Sequence, residues 1–177
     1  MKICWQKLLR RLLHGSVNNI MPIRKFEKSD IQQLSEIVRE TKVFHEEEVN
    51  VAIELMEIAA NEKDQKDYLL YSYVDENNTL QGYYCMGPTP MTKSTFDLYW
   101  IAVHPRMHRK KIGKELLEHC EQQVKEMGGK LLVVETSSQP KYEPTRKFYL
   151  RNHYIESANI KDYYAPGDNL VIYTKHF

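Results

Sequence analysis

Basic side chains cluster in the segment VHPRMHRKKIGKELL, residues 103–117, where a predicted strand ends at Pro105 and a predicted helix begins. Helix N-termini leave backbone N–H groups unpaired and carry a partial positive charge, so a pyrophosphate group fits there with little further provision. Gly113 would allow close approach of the backbone to such a group. The turn therefore predicts an anion site, with a solvated basic turn as the alternative. Its charged or titratable side chains are Arg106, His108, Arg109, Lys110, Lys111 and Lys114.

The histidines and cysteines do not predict a metal site. Three histidines lack the paired spacing of a zinc helix and have no cysteine at ligand spacing: His104, His108 and His119. The three cysteines form neither a CxxC pair nor a disulfide-like framework, which suits a reducing cytosol: Cys4, Cys85 and Cys120. We expect free thiols, no metal and a cytoplasmic protein.

The elements before the basic turn are predicted from hydrophobic periodicity. Residues 22–26 are strand-like, and Ser29 stands three residues before Gln32, which predicts a capping box at the start of a helix. A second amphipathic helix is predicted over residues 49–60. The acidic residues 46–48 precede it and suit the positive end of its dipole, so we interpret them as a solvated first turn and not as a ligand site.

Strands dominate the middle of the chain. Residues 68–74 and 80–86 are rich in aromatic and β-branched side chains and are separated by turn formers, which predicts a hairpin. The segment FDLYWIAV, residues 96–103, predicts a third long strand that leads into the basic turn.

After the basic turn, the apolar pattern predicts a helix that stops at Gly128 and Gly129. The segment LLVVET, residues 131–136, predicts a strand, and Pro144 precedes a short helix over residues 145–151. Two closing strands complete the chain, over residues 154–160 and 170–177. Without repeats or linkers, this pattern favours one α/β domain with a mixed sheet.

The overall composition excludes several classes of protein. At 177 residues, one domain with one buried core is the default expectation. Lys and Arg total 25 against 24 for Asp and Glu, so the net charge of +1 gives no general attraction to nucleic acid or membrane. The basic turn and 12 tyrosines would suit a small nucleic-acid-binding module, but no aromatic RNA-binding box is present. We expect no nucleic-acid partner and no stable membrane association, and the sequence leaves homodimer formation open.

The first 20 residues predict a basic amphipathic helix, because apolar side chains recur at helical spacing among lysines and arginines. Such a stretch could serve targeting or membrane-surface binding. Charge interrupts its apolar run, however, and residue 21 begins a segment with the pattern of a domain start. We therefore divide the chain into an extension, residues 1–20, and a working domain, residues 21–177.

The basic turn resembles the acetyl-CoA motif of the GNAT superfamily of N-acetyltransferases, which reads valine-x-proline and then Gln/Arg-x-x-Gly-x-Gly/Ala. Val103 and Pro105 match its start, and Gly113 matches its last glycine. The sequence departs from the motif at His108, where Gln or Arg is usual, and at Lys111, which replaces the first glycine. A side chain at position 111 would cost roughly 1–2 kcal/mol if that residue had to be left-handed.

The resemblance covers residues 22–177. The segment RKFYLRNHY is similar to the family's helix that ends in Leu-Tyr before a Gly-Phe pair, with His153 at the usual glycine position and with Phe148, Tyr149 and Tyr154 as the matching aromatics. The implied fold is an α/β (α+β) GNAT-like mixed, mostly antiparallel central sheet flanked by helices. In it, strands 96–103 and 131–136 splay apart.

The resemblance also implies an activity. It is that of an acetyl-CoA-dependent N-acetyltransferase, which transfers the acetyl group directly to a primary amine of a small molecule or a protein N-terminus. The pantetheine arm of acetyl-CoA would lie between the splayed strands, against the backbone of Ile101, Ala102 and Val103. The pyrophosphate would lie on the turn, against His108, Arg109, Lys110, Lys111, Ile112, Gly113 and Lys114.

Catalytic roles follow from positions that match the family. Tyr149 is the implied general acid, with a plain core aromatic as the alternative, and Glu135 is the implied base, acting through water, with a solvated glutamate as the alternative. Asp97 and Glu143 are weaker substitutes for the base. Tyr142 lies near the family's loop asparagine, so one contact to the cofactor or backbone would be lost. A rival function is a non-catalytic acyl-CoA-binding regulatory domain, in which these departures have cost the fold its turnover.

Overall fold

The computed structural model describes residues 22–62 and 64–177, so the predicted N-terminal extension lies outside the described residues. Within these ranges the chain forms seven β-strands and four α-helices. In chain order they are β1 (Ile23–Lys25), α1 (Ile31–Glu40), α2 (Glu46–Asn61), β2 (Leu69–Val74), β3 (Leu80–Pro88), β4 (Thr95–Val103), α3 (Ile112–Glu126), β5 (Leu131–Ser137), α4 (Glu143–Arg151), β6 (Ile155–Ala165) and β7 (Asp168–His176). Short 3-10 turns precede α1, α3 and α4.

The strands form one mixed sheet in the order β1-β2-β3-β4-β5-β7-β6. Every neighbouring pair is antiparallel except β4 and β5, which are parallel. Parallel neighbours need a crossover connection, and α3 supplies it between β4 and β5. The expected α/β fold, a mixed and mostly antiparallel sheet flanked by helices, is confirmed.

A hydrophobic cluster covers each face of the sheet. On one face, Leu116 and Leu117 of α3 pack into the same buried cluster as Leu132 of β5 and Tyr173 of β7. On the other face, α1 and α2 contribute to a second cluster with β2, β3 and β4, whose buried members include Leu34, Val38, Met56, Leu70 and Tyr83. Full burial of a large apolar side chain stabilises a fold by about 1.5–3 kcal/mol, so these clusters hold the helices on the sheet.

The sheet is open at the pairing of β4 and β5. Only three pairs of residues are in register, Thr95–Asp97 of β4 with Leu131–Val133 of β5, and beyond them the strands separate. A bulge in β4 lies at the same place, because Cys85 of β3 pairs with Trp100 and Met86 pairs with Leu98, which leaves Tyr99 as the extra residue. The predicted separation of these two strands is thereby confirmed.

The start of α1 differs from the prediction made from the sequence. Ser29 is exposed inside a 3-10 turn and is not the N-cap. The side chain that organises this corner is Asp30, whose carboxylate accepts hydrogen bonds from the Glu27 amide at 3.0 Å, the Arg24 guanidinium at 2.7 and 2.8 Å and the Ser72 hydroxyl at 2.8 Å. The capping box predicted for Ser29 was wrong, because Glu27 and Asp30 form the box around the 3-10 turn instead. The remaining partners of Asp30 lie on β1 and β2, which local spacing does not reveal.

The last helix, α4, has a proline in its first turn and is followed by a residue with a left-handed backbone. It starts at Glu143, so Pro144 lies within its first turn, where proline's missing N–H costs no hydrogen bond. Behind its end, His153 has a φ of 68°, and the Tyr154 amide donates to the Tyr149 carbonyl oxygen at 3.1 Å. This is the left-handed residue that commonly follows a helix, here without the glycine that favours it.

Candidate functional site

A cavity of about 480 Å³ lies where β4 and β5 separate. It is lined by residues 98–101 of β4, residues 134–137 of β5, the loop between α1 and α2, the start of α2 and the 3-10 turn before α4. This volume is in the usual range for sites that take a small molecule, about 300–1,000 Å³. From the cavity, β4 runs on toward the basic turn and the N-terminus of α3.

The β4 backbone offers free hydrogen-bonding groups along the opening. Ile101, Ala102 and Val103 pair with β3 on one edge of the strand, whereas β5 has already separated from the other edge. Alternate groups of such a strand can therefore accept an added strand or an extended amide-bearing ligand. One of these groups is engaged, since the Val103 carbonyl oxygen lies 3.2 Å from His108 Nε2.

The N-terminus of α3 is not capped by a side chain. In the described part of the chain, no acceptor is found for the backbone N–H groups of Arg109, Lys111, Ile112, Gly113 and Lys114, whereas the Glu115 amide already donates to the Lys111 carbonyl oxygen at 3.0 Å. A cluster of free amides at the positive end of a 15-residue helix is suited to bind an anion.

Two residues of the turn adopt left-handed backbone conformations. Lys111 has φ 66° and ψ −1°, and Arg109 also has φ 66°. The glycine that Lys111 replaces in the motif therefore corresponds to a real conformational requirement, and strain of about 1–2 kcal/mol is stored at each such non-glycine residue.

The basic side chains of the turn differ in their engagement. His108 contacts the Val103 carbonyl oxygen, and Lys114 pairs with Glu118 at 3.5 Å. Within the described ranges, Arg109, Lys110 and Lys111 form no ion pair, so their charges remain available to an anion. Gly113 is not required by the fold, because a Cβ there would lie 3.7 Å from Val103 and 3.8 Å from Phe148, which is ordinary contact.

Tyr149 lines the cavity from α4 and is only 3% exposed. Its ring packs among other aromatics, with ring centroids 5.4 Å from Phe148 and 5.5 Å from Tyr154. Its hydroxyl has no hydrogen-bond partner among the described residues. Burial, with a smaller contribution from Cys120, raises the pKa of Tyr149 well above its ordinary value, so the phenol stays protonated at neutral pH.

Glu135 lines the same cavity from β5 with an exposed side chain. The pKa of its carboxyl is raised, chiefly because its surroundings desolvate the charge and also because Asp97 is nearby. Tyr164 also lines the cavity, and burial together with the charge of Glu135 raises its pKa to about 12. Glu135 and Tyr149 are thus brought to one cavity, as a base and an acid would have to be.

The two substitute bases differ in position. Desolvation raises the pKa of Asp97, which is on β4 where the strand still pairs with β5, and its side chain does not line the cavity. Glu143 lies outside the cavity and forms an ion pair with Lys147 at 2.6 Å, and that contact lowers its pKa. Neither residue is placed to take a proton from a molecule in the cavity.

Contacts that the sequence did not predict complete the cavity. Tyr142 donates a hydrogen bond to Glu48 at 2.9 Å, and the Glu48 carboxylate also accepts from the His45 amide at 2.7 Å. Lys141 donates to the Val43 carbonyl oxygen and to His45 Nε2, each at 2.9 Å. These bonds join the α1–α2 loop to the turn before α4, across about 100 residues of sequence, so no local pattern could have identified them.

The acidic residues 46–48 are more than the solvated helix start that the sequence predicted. Glu46 faces Arg39 at 2.7 Å, away from the cavity, whereas Glu47 and Glu48 line it. Asp168, at the start of β7, lines the cavity as well, and its carboxylate accepts from Ser137 at 2.5 Å and Gln139 at 2.9 Å.

Residues 22–62 and 64–177 contain no group of three or more His, Cys, Asp or Glu side chains that could hold a metal ion. In the same residues, no helix is long and apolar enough to cross a membrane. Cys85 and Cys120 are buried free thiols, and burial raises the pKa of each.

Comparison with known proteins identifies related chains. The model of the acetyltransferase (GNAT) family matches residues 31–154. A crystal structure from Desulfovibrio desulfuricans, of a protein assigned to the GNAT family, shares 35% identity with a TM-score of 0.83, covering 87% of this chain and 97% of that one. No curated protein has a significant sequence match.

Two more distant structures share the fold. An aminoglycoside 6'-N-acetyltransferase complexed with coenzyme A is 17% identical, with a TM-score of 0.68, and the match covers 87% of this chain and 96% of that one. The ribosomal-protein-S18-alanine N-acetyltransferase from Escherichia coli is also 17% identical, with a TM-score of 0.67, and the match covers 87% and 92% of the two chains.

Proposed function

The chain belongs to the GNAT acetyltransferase family, and from this premise we propose that it transfers the acetyl group of acetyl-CoA directly to a primary amine. The acceptor amine belongs to a small molecule or to a protein N-terminus. One observation carries the proposal: the opening between β4 and β5 joins an uncapped helix N-terminus to a cavity lined by Tyr149 and Glu135.

Acetyl-CoA fits the free groups on this path. The amides from Lys111 to Lys114 and the charges of Arg109 and Lys110 suit a pyrophosphate, and the open edge of β4 at residues 101–103 suits the amide groups of a pantetheine arm. A structural relative was solved in complex with coenzyme A, which supports a coenzyme A thioester as the ligand. The thioester supplies the acetyl group and a thiol leaving group.

Residues of this chain supply the proton transfers. Glu135 takes a proton from the acceptor amine, directly or through water, so that the nitrogen lone pair can form a bond to the thioester carbonyl carbon. A backbone N–H near Val103 donates to the carbonyl oxygen as it gains negative charge. The carbonyl then re-forms as the carbon–sulfur bond breaks, and the Tyr149 hydroxyl donates its proton to the departing sulfur. The nitrogen loses its extra proton to solvent, from which Tyr149 regains a proton. The raised pKa of Glu135 makes its carboxylate a stronger base, and the raised pKa of Tyr149 keeps the phenol protonated until negative charge develops on the sulfur.

The working domain is proposed to begin at residue 21. The first described strand, β1, pairs with β2 and places Arg24 against the buried Asp30, so the described residues already include an edge strand that supports the first helix. A chain that starts at Met21 should fold and bind CoA with the affinity of the full chain. A loss of thermal stability in that truncation would show instead that the extension contributes to the core.

The test of the function combines a binding and a turnover measurement. Calorimetry with CoA should give a dissociation constant that rises with salt, and Arg109→Glu with Lys114→Glu should weaken binding about tenfold or more, since like charges then face the phosphates. Release of free thiol from acetyl-CoA is then measured with a panel of amines and N-terminal peptides. Binding without acetyl transfer to any of them would support the rival non-catalytic domain, and an unchanged dissociation constant in the double variant would place the phosphates elsewhere.

A further inference from the structure

The cavity carries more negative than positive charge. Four carboxylates line it, those of Glu47, Glu48, Glu135 and Asp168. The cations on its wall are the Lys141 ammonium and, when protonated, the His45 imidazole. Because like charges that share a cavity repel each other, this excess of carboxylates favours a positively charged ligand.

The hydrogen bonds separate the four carboxylates into two kinds. Glu48 and Asp168 each accept two hydrogen bonds from neighbouring groups of the protein. Glu47 and Glu135 accept none and form no ion pair in the described part of the chain. The Lys141 ammonium does not neutralise them, since it is held by the Val43 carbonyl oxygen and by His45. Two carboxylates at the cavity are therefore available to a ligand.

A second observation points to a ligand at the same place. The Tyr149 side chain is only 3% exposed and lines the cavity, and its hydroxyl has no hydrogen-bond partner in the described chain. Aromatic rings form part of the wall, with Phe44 and Trp100 at 4.8 Å between centroids and Tyr164 half-exposed beside them. Aromatic faces also attract cations, and they pack against alkyl chains.

The chemistry of the reaction limits what the cation can be. The nitrogen that accepts the acetyl group reacts as a neutral amine, so it brings no positive charge to the cavity while it reacts. Once Glu135 has taken the proton of the reacting amine, a molecule with a single amine would leave the Glu47 carboxylate without a counter-charge. We propose that the acceptor is a small amine that carries a second positive charge, a diamine or a longer polyamine, whose non-reacting ammonium is bound by Glu47 while Glu135 faces the reacting nitrogen. This inference rests on the proposed acetyl transfer.

The experiment compares two amines of equal chain length, 1,4-diaminobutane and 1-aminobutane, as acceptors in the thiol-release assay with acetyl-CoA. A short peptide with a free N-terminus and no lysine is the third acceptor. At low ionic strength, kcat/KM should be at least about fivefold higher for the diamine than for the monoamine or the peptide, mainly through KM, and the difference should shrink with added salt.

The variant Glu47→Gln isolates the second charge, and Glu46→Gln is its matched control. Both glutamates lie in the first turn of α2, but Glu46 faces Arg39 and is outside the cavity. Glu47→Gln should reduce the ratio of the diamine to the monoamine kcat/KM about threefold or more, whereas Glu46→Gln should keep the ratio of the unmodified protein.

The outcomes separate this inference from the proposed function. Efficient acetylation of 1-aminobutane or of the peptide, without preference for the diamine, would overturn the dicationic acceptor and leave acetyl transfer intact. A diamine preference that Glu47→Gln and Glu46→Gln reduce equally would also overturn it, because the second charge would then be recognised elsewhere. Acetylation of another amine of the panel but not of 1,4-diaminobutane would likewise overturn the dicationic acceptor, whereas no acetylation of any amine in the panel would overturn the proposed function itself.

Discussion

Lys111 provides a test of how the basic turn combines strain with charge. Its φ of 66° and ψ of −1° place a side chain in a conformation that glycine adopts without strain. We therefore expect Lys111→Gly to stabilise the protein while it removes one cation from the turn.

The magnitude follows from two opposing terms. Relief of the left-handed strain contributes about 1–2 kcal/mol to the free energy of unfolding. The greater freedom of glycine in the unfolded chain costs about 0.4–1 kcal/mol. The net gain is about 0.5–1 kcal/mol, and at roughly 2–4 °C for each kcal/mol in a domain of this size the Tm should rise by about 1–4 °C.

Thermal and chemical unfolding of three variants would measure this gain. His153→Gly should be stabilised to a similar extent, since His153 has φ 68° and lies outside the proposed phosphate site. Lys110→Gly is the matched control in the turn itself, because Lys110 is not among the residues with positive φ, and it should lose stability. CoA binding should be a few-fold weaker in Lys111→Gly than in the unmodified protein at low salt, and this difference should shrink with added salt. CoA binding should be unchanged in His153→Gly.

Destabilisation of Lys111→Gly would refute the reasoning, because the backbone conformation would then impose no cost on lysine. Equal changes in stability for Lys110→Gly and Lys111→Gly would also refute it, because the left-handed backbone at position 111 would then make no difference to the free energy of unfolding.

Three further predictions concern buried groups. Tyr149→Phe should lower kcat by about tenfold or more with unchanged CoA affinity, because it removes only the hydroxyl, and wild-type turnover on a verified acceptor would contradict the assignment. Lys175→Met should lower the free energy of unfolding by about 3–5 kcal/mol, because it leaves the charge of Glu121 unpaired; Glu121 is 7% exposed and is bonded to Lys175 at 2.8 Å. The double variant Glu121→Leu with Lys175→Met should recover most of this loss. If the two substitutions instead had additive effects on the free energy of unfolding, the pair would not be the cause. For Asp30, burial alone would raise the pKa, but hydrogen bonds led by that of Arg24 lower it below 3.8. The ionised carboxylate should therefore stabilise the fold fully above the unfolded pKa, and this stabilisation should fade as pH falls through the folded pKa. In denaturant titrations, the difference in unfolding free energy between the unmodified protein and Asp30→Asn should narrow toward pH 3, and a constant difference would exclude the ionised carboxylate as the cause.

The parts of the site that the sequence predicted are local in the chain. Pro105 and Gly113 lie eight residues apart, and the strand, the turn and the helix that contain them form from neighbouring residues, so the anion-binding turn could be predicted from spacing. The resemblance to one family added the separation of β4 and β5 and the positions of Tyr149 and Glu135. These features lie on consecutive elements of the chain, from β4 to α4.

The parts that could not be predicted depend on contacts between distant segments. Glu47 and Glu48 have the pattern of an ordinary acidic helix start, and only the packing of α2 beside the turn before α4 brings them to the cavity. Asp168 gives no signal in the sequence, because its role depends on the register of β7 against β5. The left-handed backbone at Arg109 was missed as well, since arginine does not indicate positive φ.

The short pairing of β4 with β5 divides the sheet into two leaves, one of four strands and one of three, that share only the three pairs from Thr95–Leu131 to Asp97–Val133. Beyond that hinge-like contact, side chains of α3 hold the leaves together with few backbone bonds between them. A ligand bound between β4 and β5 beyond Asp97 and Val133 would add hydrogen bonds between the two leaves, so that they would unfold as one cooperative unit. Ligand binding in the opening would then also protect the protein against partial unfolding, in which the two leaves separate.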